Sequence, residues 1–207
     1  MTPSSANETS SGQRPKIVGL GGSLAPVSKS LAALRVAAAA AEEHGADVRI
    51  FEVRELDLPF YESGREPPPQ ALVFADAVYE ASGLLLSSPM YHGTISGSFK
   101  NALDWLELLR RREPPYLTNK IVGLISTASA VQGLQAVNTL EYVVRALRGW
   151  AIPLVIPINQ RQAFDGDGRI VDERVDAQLR ALGNEVAAMC LVRRPDPDEG
   201  DGENAGD

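Results

Sequence analysis

Cysteine is nearly missing from this 207-residue chain. Cys190 stands alone, so no disulfide framework and no cysteine-built metal cluster can form. Histidine is scarce too, limited to His44 and His92. His44 falls just before Gly45 at the end of an alanine-rich run, where an imidazole suits the carbonyl end of a helix dipole. No apolar run is long enough to span a bilayer. The opening MTPSSANETSSGQRP lacks the apolar core of a secretory leader. A cytoplasmic protein with no membrane partner is therefore expected. The formal net charge of -7 is also unevenly placed. Asp196, Asp198, Glu199, Asp201, Glu203 and Asp207 all follow Pro195, and without these six acids the remainder carries -1. A near-neutral body gives no footprint for nucleic acid. Residues 1–15 and 193–207 are polar and without apolar anchors, and read as disordered tails around one domain at 16–192.

Within that domain, short apolar runs alternate with longer helical patterns. KIVGL from Lys16, DVRIFEV from Asp47, GLLLSS from Gly83, KIVGLIST from Lys120 and IPLVIP from Ile152 read as strands. Helical patterns follow each: SLAALRVAAAAAEEH, QALVFADAVYEA, SFKNALDWLELLRRR, LQAVNTLEYVVRALRG up to Gly149, and a last helix from Asp172 to Cys190. Five strands, each followed by a helix, give an α/β fold: a doubly wound, five-stranded parallel sheet with helices on both faces. Ligands on such sheets bind beyond the carboxyl ends of the strands. Three loops share that edge: Gly21–Ser30, Ser88–Gly97 and Ser126–Gly133.

The first loop, GLGGSLAPVSKS, is dense in glycine and hydroxyls and opens a helix, a setting that favours an anion. Two phosphate templates fail in it. The P-loop pattern needs glycines where Ser23 and Ser28 stand, and the dinucleotide pattern needs a glycine where Leu24 stands. Ser23, Ser28 and Ser30 could coordinate a monophosphate without metal, or Ser28 or Ser30 could simply cap the helix. The later FDGDGRIVDE lacks Ca²⁺-loop spacing and reads as a turn, with Asp172 capping the last helix. No metal site is expected.

The second loop is more specific. In SSPMYHGTISGSFKNALDW, the residues Pro89, Tyr91, His92, Gly93, Thr94, Gly97, Lys100, Asn101, Ala102, Asp104 and Trp105 resemble the signature of the NADPH-dependent FMN reductase family. Gly22, Ser23, Leu24 and Ser28 are similar to that family's first-loop pattern, and the likeness extends over Lys16–Cys190. It implies a flavodoxin-like fold and an enzyme that passes a hydride from NADPH or NADH through FMN to a small acceptor such as a flavin or quinone. The resemblance implies that Ser23, Ser28, Lys29 and Ser30 hold the FMN phosphate. Pro89, Met90, Tyr91, His92, Gly93 and Thr94 would line the ribityl chain and ring, and Ser126 and Thr127 would approach the flavin. No side chain is implied as acid–base catalyst, because the hydride passes to the flavin itself.

Two departures qualify the likeness. Ala25 and Ser30 replace an arginine and an asparagine of the family pattern, leaving Lys29 as the substitute cation. The third loop, STASAVQGLQ, keeps only Gly133 of a glycine-rich run. Phe99, Leu103, Trp105, Leu106 and Leu109 cover more than one helix face, suggesting contact with a second subunit, and the family resemblance implies a homodimer or homotetramer. Lys100 and Asp104 are spaced to pair within the helix. Two alternatives stay open from the residues: an FMN electron carrier of the flavodoxin kind, and a non-catalytic homologue.

Overall fold

The computed structural model describes residues 14–130 and 132–192; residues 1–13 and the acidic tail at 193–207 lie outside them. The strands are β1 (Lys16–Gly21), β2 (Asp47–Glu52), β3 (Gly83–Tyr91), β4 (Thr94–Ile95), β5 (Ile121–Ala128) and β6 (Trp150–Asn159). The helices are α1 (Lys29–Glu43), α2 (Val53–Leu56), α3 (Pro69–Glu80), α4 (Gly97–Asp104), α5 (Gly133–Ala146), α6 (Gln160–Ala163) and α7 (Glu173–Val192). Five strands run parallel in the order β2-β1-β3-β5-β6. This is the doubly wound arrangement expected, with the order reversing between β1 and β3.

Strand composition follows position in the sheet. β3, in the middle, is buried from Gly83 to Pro89, and its interior neighbour β5 is buried along its whole length. Both carry the continuous apolar runs that a doubly covered strand needs. β6 lies at an edge and exposes Pro153 and Pro157, which cannot donate to a further strand and so discourage edge pairing. The sixth strand, β4, departs from the five-strand reading. Its two residues are too few to show periodicity, and they pair antiparallel with the end of β3.

Two apolar layers enclose the sheet. Phe74, Phe99, Leu106 and Leu140 pack on one face, and Leu34, Ala37, Leu182 and Val186 on the other. α1 and α7 approach so closely that a Cβ at Gly183 would collide with the Ala37 carbonyl. Asp172 caps α7 as expected, its Oδ1 accepting from the Arg174 amide at 2.9 Å. Ser28, not Ser30, is the N-cap of α1, accepting from the Leu31 amide at 3.3 Å.

Two boundaries differ from the sequence reading. The helix from Ser98 was expected to continue through the arginines, with apolar residues left over for a partner. Instead α4 stops at Asp104 and the chain tightens into a 3₁₀ turn over Trp105–Leu109. The tighter turn changes the angular step, and Phe99, Leu103, Trp105, Leu106 and Leu109 all end up buried within this one chain. They call for no second subunit. α5, expected to run to Gly149, ends at Ala146, and Arg148 rather than the glycine takes the left-handed conformation (φ 69°). Gly149 is used for close packing: a Cβ there would lie 3.0 Å from Val144 Cγ1.

Candidate functional site

The three loops named from the sequence do share the carboxyl edge of the sheet, because β1, β3 and β5 are adjacent and parallel. In the first loop Gly22 takes φ 100°, a conformation an L side chain rarely adopts, and this turns the chain toward α1. The Ser23 hydroxyl accepts from the Ala25 amide at 3.2 Å, and the Ser28 and Ser30 hydroxyls lie 3.1 Å apart. Ser30 is buried, and its carbonyl accepts from the Ser87 hydroxyl at 2.7 Å. That bond ties the end of β3 to the first turn of α1. Sequence reasoning missed Ser87; the signal available was a hydroxyl at the end of an otherwise apolar strand.

α1 carries no acidic residue in its first turn, so its positive dipole end is not locally compensated. The three loops contain no carboxylate. Glu52, at the end of β2, lies against Gly22 and is mostly buried, with Arg35 at 4.0 Å. Lys29, expected to replace the missing arginine, extends elsewhere: its ammonium lies 5.7 Å above the Phe164 ring. Ala25 is exposed and contributes no charge. Backbone amides and hydroxyls, not a cation, define this cradle.

The second loop is a tight hairpin. Tyr91 pairs with Thr94, and the two residues between them, His92 (φ 50°) and Gly93 (φ 86°), both take positive φ. That is the requirement of a type I′ turn, which matches the twist of the strands it joins. His92 and Thr94 are exposed, Tyr91 is half exposed, Met90 is partly buried and Pro89 is buried. The hairpin leans on α5, where the Thr94 hydroxyl meets that of Thr139 at 3.2 Å. Ser88 shapes the return, its Oγ accepting from the Ser96 amide at 3.2 Å, and Ser96 in turn caps α4.

In the third loop the two expected residues part ways. Ser126 donates to the Gly133 carbonyl at 2.7 Å and so folds the loop onto α5. Thr127, on the opposite face by strand alternation, is fully buried, and its hydroxyl has no partner among the described residues. In register Thr127 stands opposite Pro89, and so belongs to the same edge as the other two loops. A buried hydroxyl left unpaired costs about 1–3 kcal/mol. A polar ligand group that reached it would supply the missing partner.

The family resemblance implies FMN here, and the donor set suits it. Uncompensated helix amides and serine hydroxyls fit a phosphate, and an orphaned hydroxyl on the edge that also carries the exposed Tyr91 fits a ring that is planar and polar at its rim. Asn101 and Trp105, in the same motif, have a different task. Asn101 accepts from the Tyr61 amide at 2.8 Å and donates to the carbonyls of Leu58 and Pro59. They hold the segment after α2, and Asn101 also lines a pocket of about 370 Å³ with Leu24 of the first loop and Gly97 at the end of the second.

Comparison with known proteins agrees. A family model described as NADPH-dependent FMN reductase matches residues 15–162. An FMN-dependent NADPH-azoreductase of Staphylococcus haemolyticus is 31% identical over 147 residues, covering 68% of this chain and 75% of the relative. An NAD(P)H:quinone oxidoreductase of Solanum tuberosum is 27% identical over 195 residues, covering 85% and 93%. Among solved structures, the flavoenzyme NAD(P)H:(acceptor) oxidoreductase FerB of Paracoccus denitrificans superposes with a TM-score of 0.70 at 21% identity, covering 86% of this chain and 98% of that one.

Proposed function

This chain belongs to the NADPH-dependent FMN reductase family, and we propose that it holds FMN across its three carboxyl-edge loops and reduces a small planar acceptor there. It is an FMN-dependent oxidoreductase that draws on NADPH. The observation that carries the site assignment is the unpartnered, fully buried hydroxyl of Thr127 on the edge shared with the other two loops.

The division of labour follows from the residues. The first-turn amides of α1 with Ser23 and Ser28 would bind the phosphate, while Ser30, buried beneath them, holds Ser28 in place through its hydroxyl. Ser87 fixes α1 against β3, so the phosphate end and the ring end of the site keep their spacing. The β3–β4 hairpin, with Pro89, Met90, Tyr91, His92, Gly93 and Thr94, would line the ribityl chain and one side of the ring. Thr127 would bond the ring's polar rim, and Ser126 keeps the third loop clear by folding it onto α5. Lys29 is a weaker candidate in this reading, since its ammonium already sits over Phe164. When bound, FMN supplies the hydride chemistry, and the protein's own work is to bind, orient and leave one ring face open. No acid or base is required of His92.

A quinone or an azo compound suits the acceptor role. Tyr91, Leu24 and Phe60 are exposed near this edge and offer aromatic and aliphatic surface for a flat, weakly polar molecule. Relatives named for quinone and azo reduction support that class. The family resemblance alone supports a cytoplasmic homo-oligomer, since the apolar residues of α4 and its 3₁₀ turn are buried within one chain; among the described residues no helix is long and apolar enough to cross a membrane.

The test is to titrate the purified protein with FMN and then follow NADPH and NADH oxidation with quinone and azo acceptors. Stoichiometric FMN and acceptor-dependent nicotinamide oxidation are expected. FMN retained without nicotinamide oxidation would replace the reductase with an electron carrier.

A further inference from the structure

At the opposite edge of the sheet, away from the three loops, Thr118, Asn119, Glu141, Arg145, Arg148 and Trp150 line a cleft of about 540 Å³. We propose that this cleft binds a planar aromatic anion of mononucleotide size, with the ring against the Trp150 indole and the anionic group between Arg145 and Arg148. The volume lies within the range of small-molecule sites. The proposal does not rest on the FMN reading.

Three observations converge on it. First, Arg145 and Arg148 are exposed, and neither is in an ion pair among the described residues. Glu141 stands four residues before Arg145, the spacing that favours pairing along a helix, yet no bridge forms. Two guanidiniums therefore face the cleft with their donors available, and guanidinium is the group best shaped to grip a phosphate or carboxylate.

Second, Trp150 is 56% exposed while Trp105 is buried. A large half-exposed indole beside two arginines offers a stacking surface within reach of their charge.

Third, the backbone around the cleft is set in costly conformations. Five non-glycine residues have positive φ among those described, and Tyr116 (53°), Asn119 (67°) and Arg148 (69°) cluster here. The position of Arg148 just past α5 is one where glycine is strongly favoured. An arginine kept there holds its side chain at the mouth of the cleft at the expense of backbone comfort, a pattern associated with binding sites.

The test is calorimetric titration of the FMN-loaded, full-length protein with adenosine 5′-monophosphate, with adenosine and inorganic phosphate as separate probes. Saturable 1:1 binding of the monophosphate is expected, at least tenfold tighter than either probe alone. Arg148→Gly provides a readout that a merely structural role would not move. It should raise the melting temperature by a few degrees, because glycine suits the left-handed position, and weaken monophosphate binding at least tenfold. NADPH oxidation should not change. Trp150→Phe should abolish the ligand-dependent change in tryptophan emission. Absence of saturable heat, or binding that survives both Arg148→Gly and Arg145→Ala within twofold, would overturn the proposal. Phosphate binding as tightly as the monophosphate would overturn the aromatic half of it.

Discussion

The Trp105 indole donates to the Pro59 carbonyl at 2.9 Å, and so joins the 3₁₀ turn after α4 to the segment leaving α2. Asn101 grips the same segment through three more bonds, and the Tyr61 ring stands edge-on to Trp105 with centroids 5.3 Å apart. The segment from Leu58 to Tyr61 has no regular structure of its own. Its conformation is imposed from outside.

Asn101→Ala should therefore lower stability by about 2 kcal/mol, since it leaves the Tyr61 amide and the Leu58 carbonyl without protein partners. Trp105→Phe should cost a comparable amount from lost volume and one lost donor, with Pro59 still served by Asn101. Urea unfolding of each variant measures this. Additivity in the double variant would show that the two residues do not share the segment.

Thr127→Val should act with opposite signs on the two forms of the protein. Removing an unpaired buried hydroxyl from the FMN-free form should stabilise it by about 1 kcal/mol, whereas FMN affinity should fall. Thermal melts with and without FMN, together with a fluorescence titration, read both. Unchanged FMN affinity would remove Thr127 from the site.

Ala25→Arg should tighten FMN binding about tenfold by supplying the charged partner that the first loop lacks, and the gain should shrink as salt rises. Ser28→Ala should move affinity the other way. It should also cost about 1 kcal/mol in stability, because the same hydroxyl caps α1.

Two buried groups set the alkaline stability profile. Lys120 donates to the carbonyls of Tyr79 and Ala81, and burial pulls its ammonium down from 10.5 to about 8. Burial pushes the Cys190 thiol up from 9.0 to about 11. Below pH 8 both folded and unfolded chains carry the Lys120 proton, and the folded one bears the cost of a buried charge. Between pH 8 and 10.5 the folded chain releases that proton while the unfolded chain keeps it, so stability rises with pH, by about 3 kcal/mol in full. Cys190 has the opposite effect: between pH 9 and 11 only the unfolded chain loses its proton, and stability falls. The sum is a rise between pH 8 and 9, a plateau to about 10.5, then a decline. Cys190→Ala should turn the plateau into a continued rise, and Lys120→Met should abolish the rise. Denaturant midpoints across that pH range decide it.

Sequence alone settled the layered architecture of this protein. Uninterrupted apolar runs such as LLL at Leu84–Leu86 demand cover on both faces, and the alanine-rich and Gly-capped stretches between them can only be helices. Parallel strands then force the loops after β1, β3 and β5 onto one edge, so the region of the site was legible before any coordinate. Tertiary structure decided what each residue does there, because that depends on neighbours far away in the chain. Ser126 and Thr127 are adjacent in sequence, yet strand alternation sends one to fold a loop and leaves the other unpaired. Lys29 follows the capping serine, but Phe164 draws its charge aside. Asn101 and Trp105 sit within the family motif, and only their contacts with Leu58, Pro59 and Tyr61 show that they hold a segment of the chain. The apolar surplus of that helix vanished when 3₁₀ winding changed its angular step, a shift that residue spacing cannot announce.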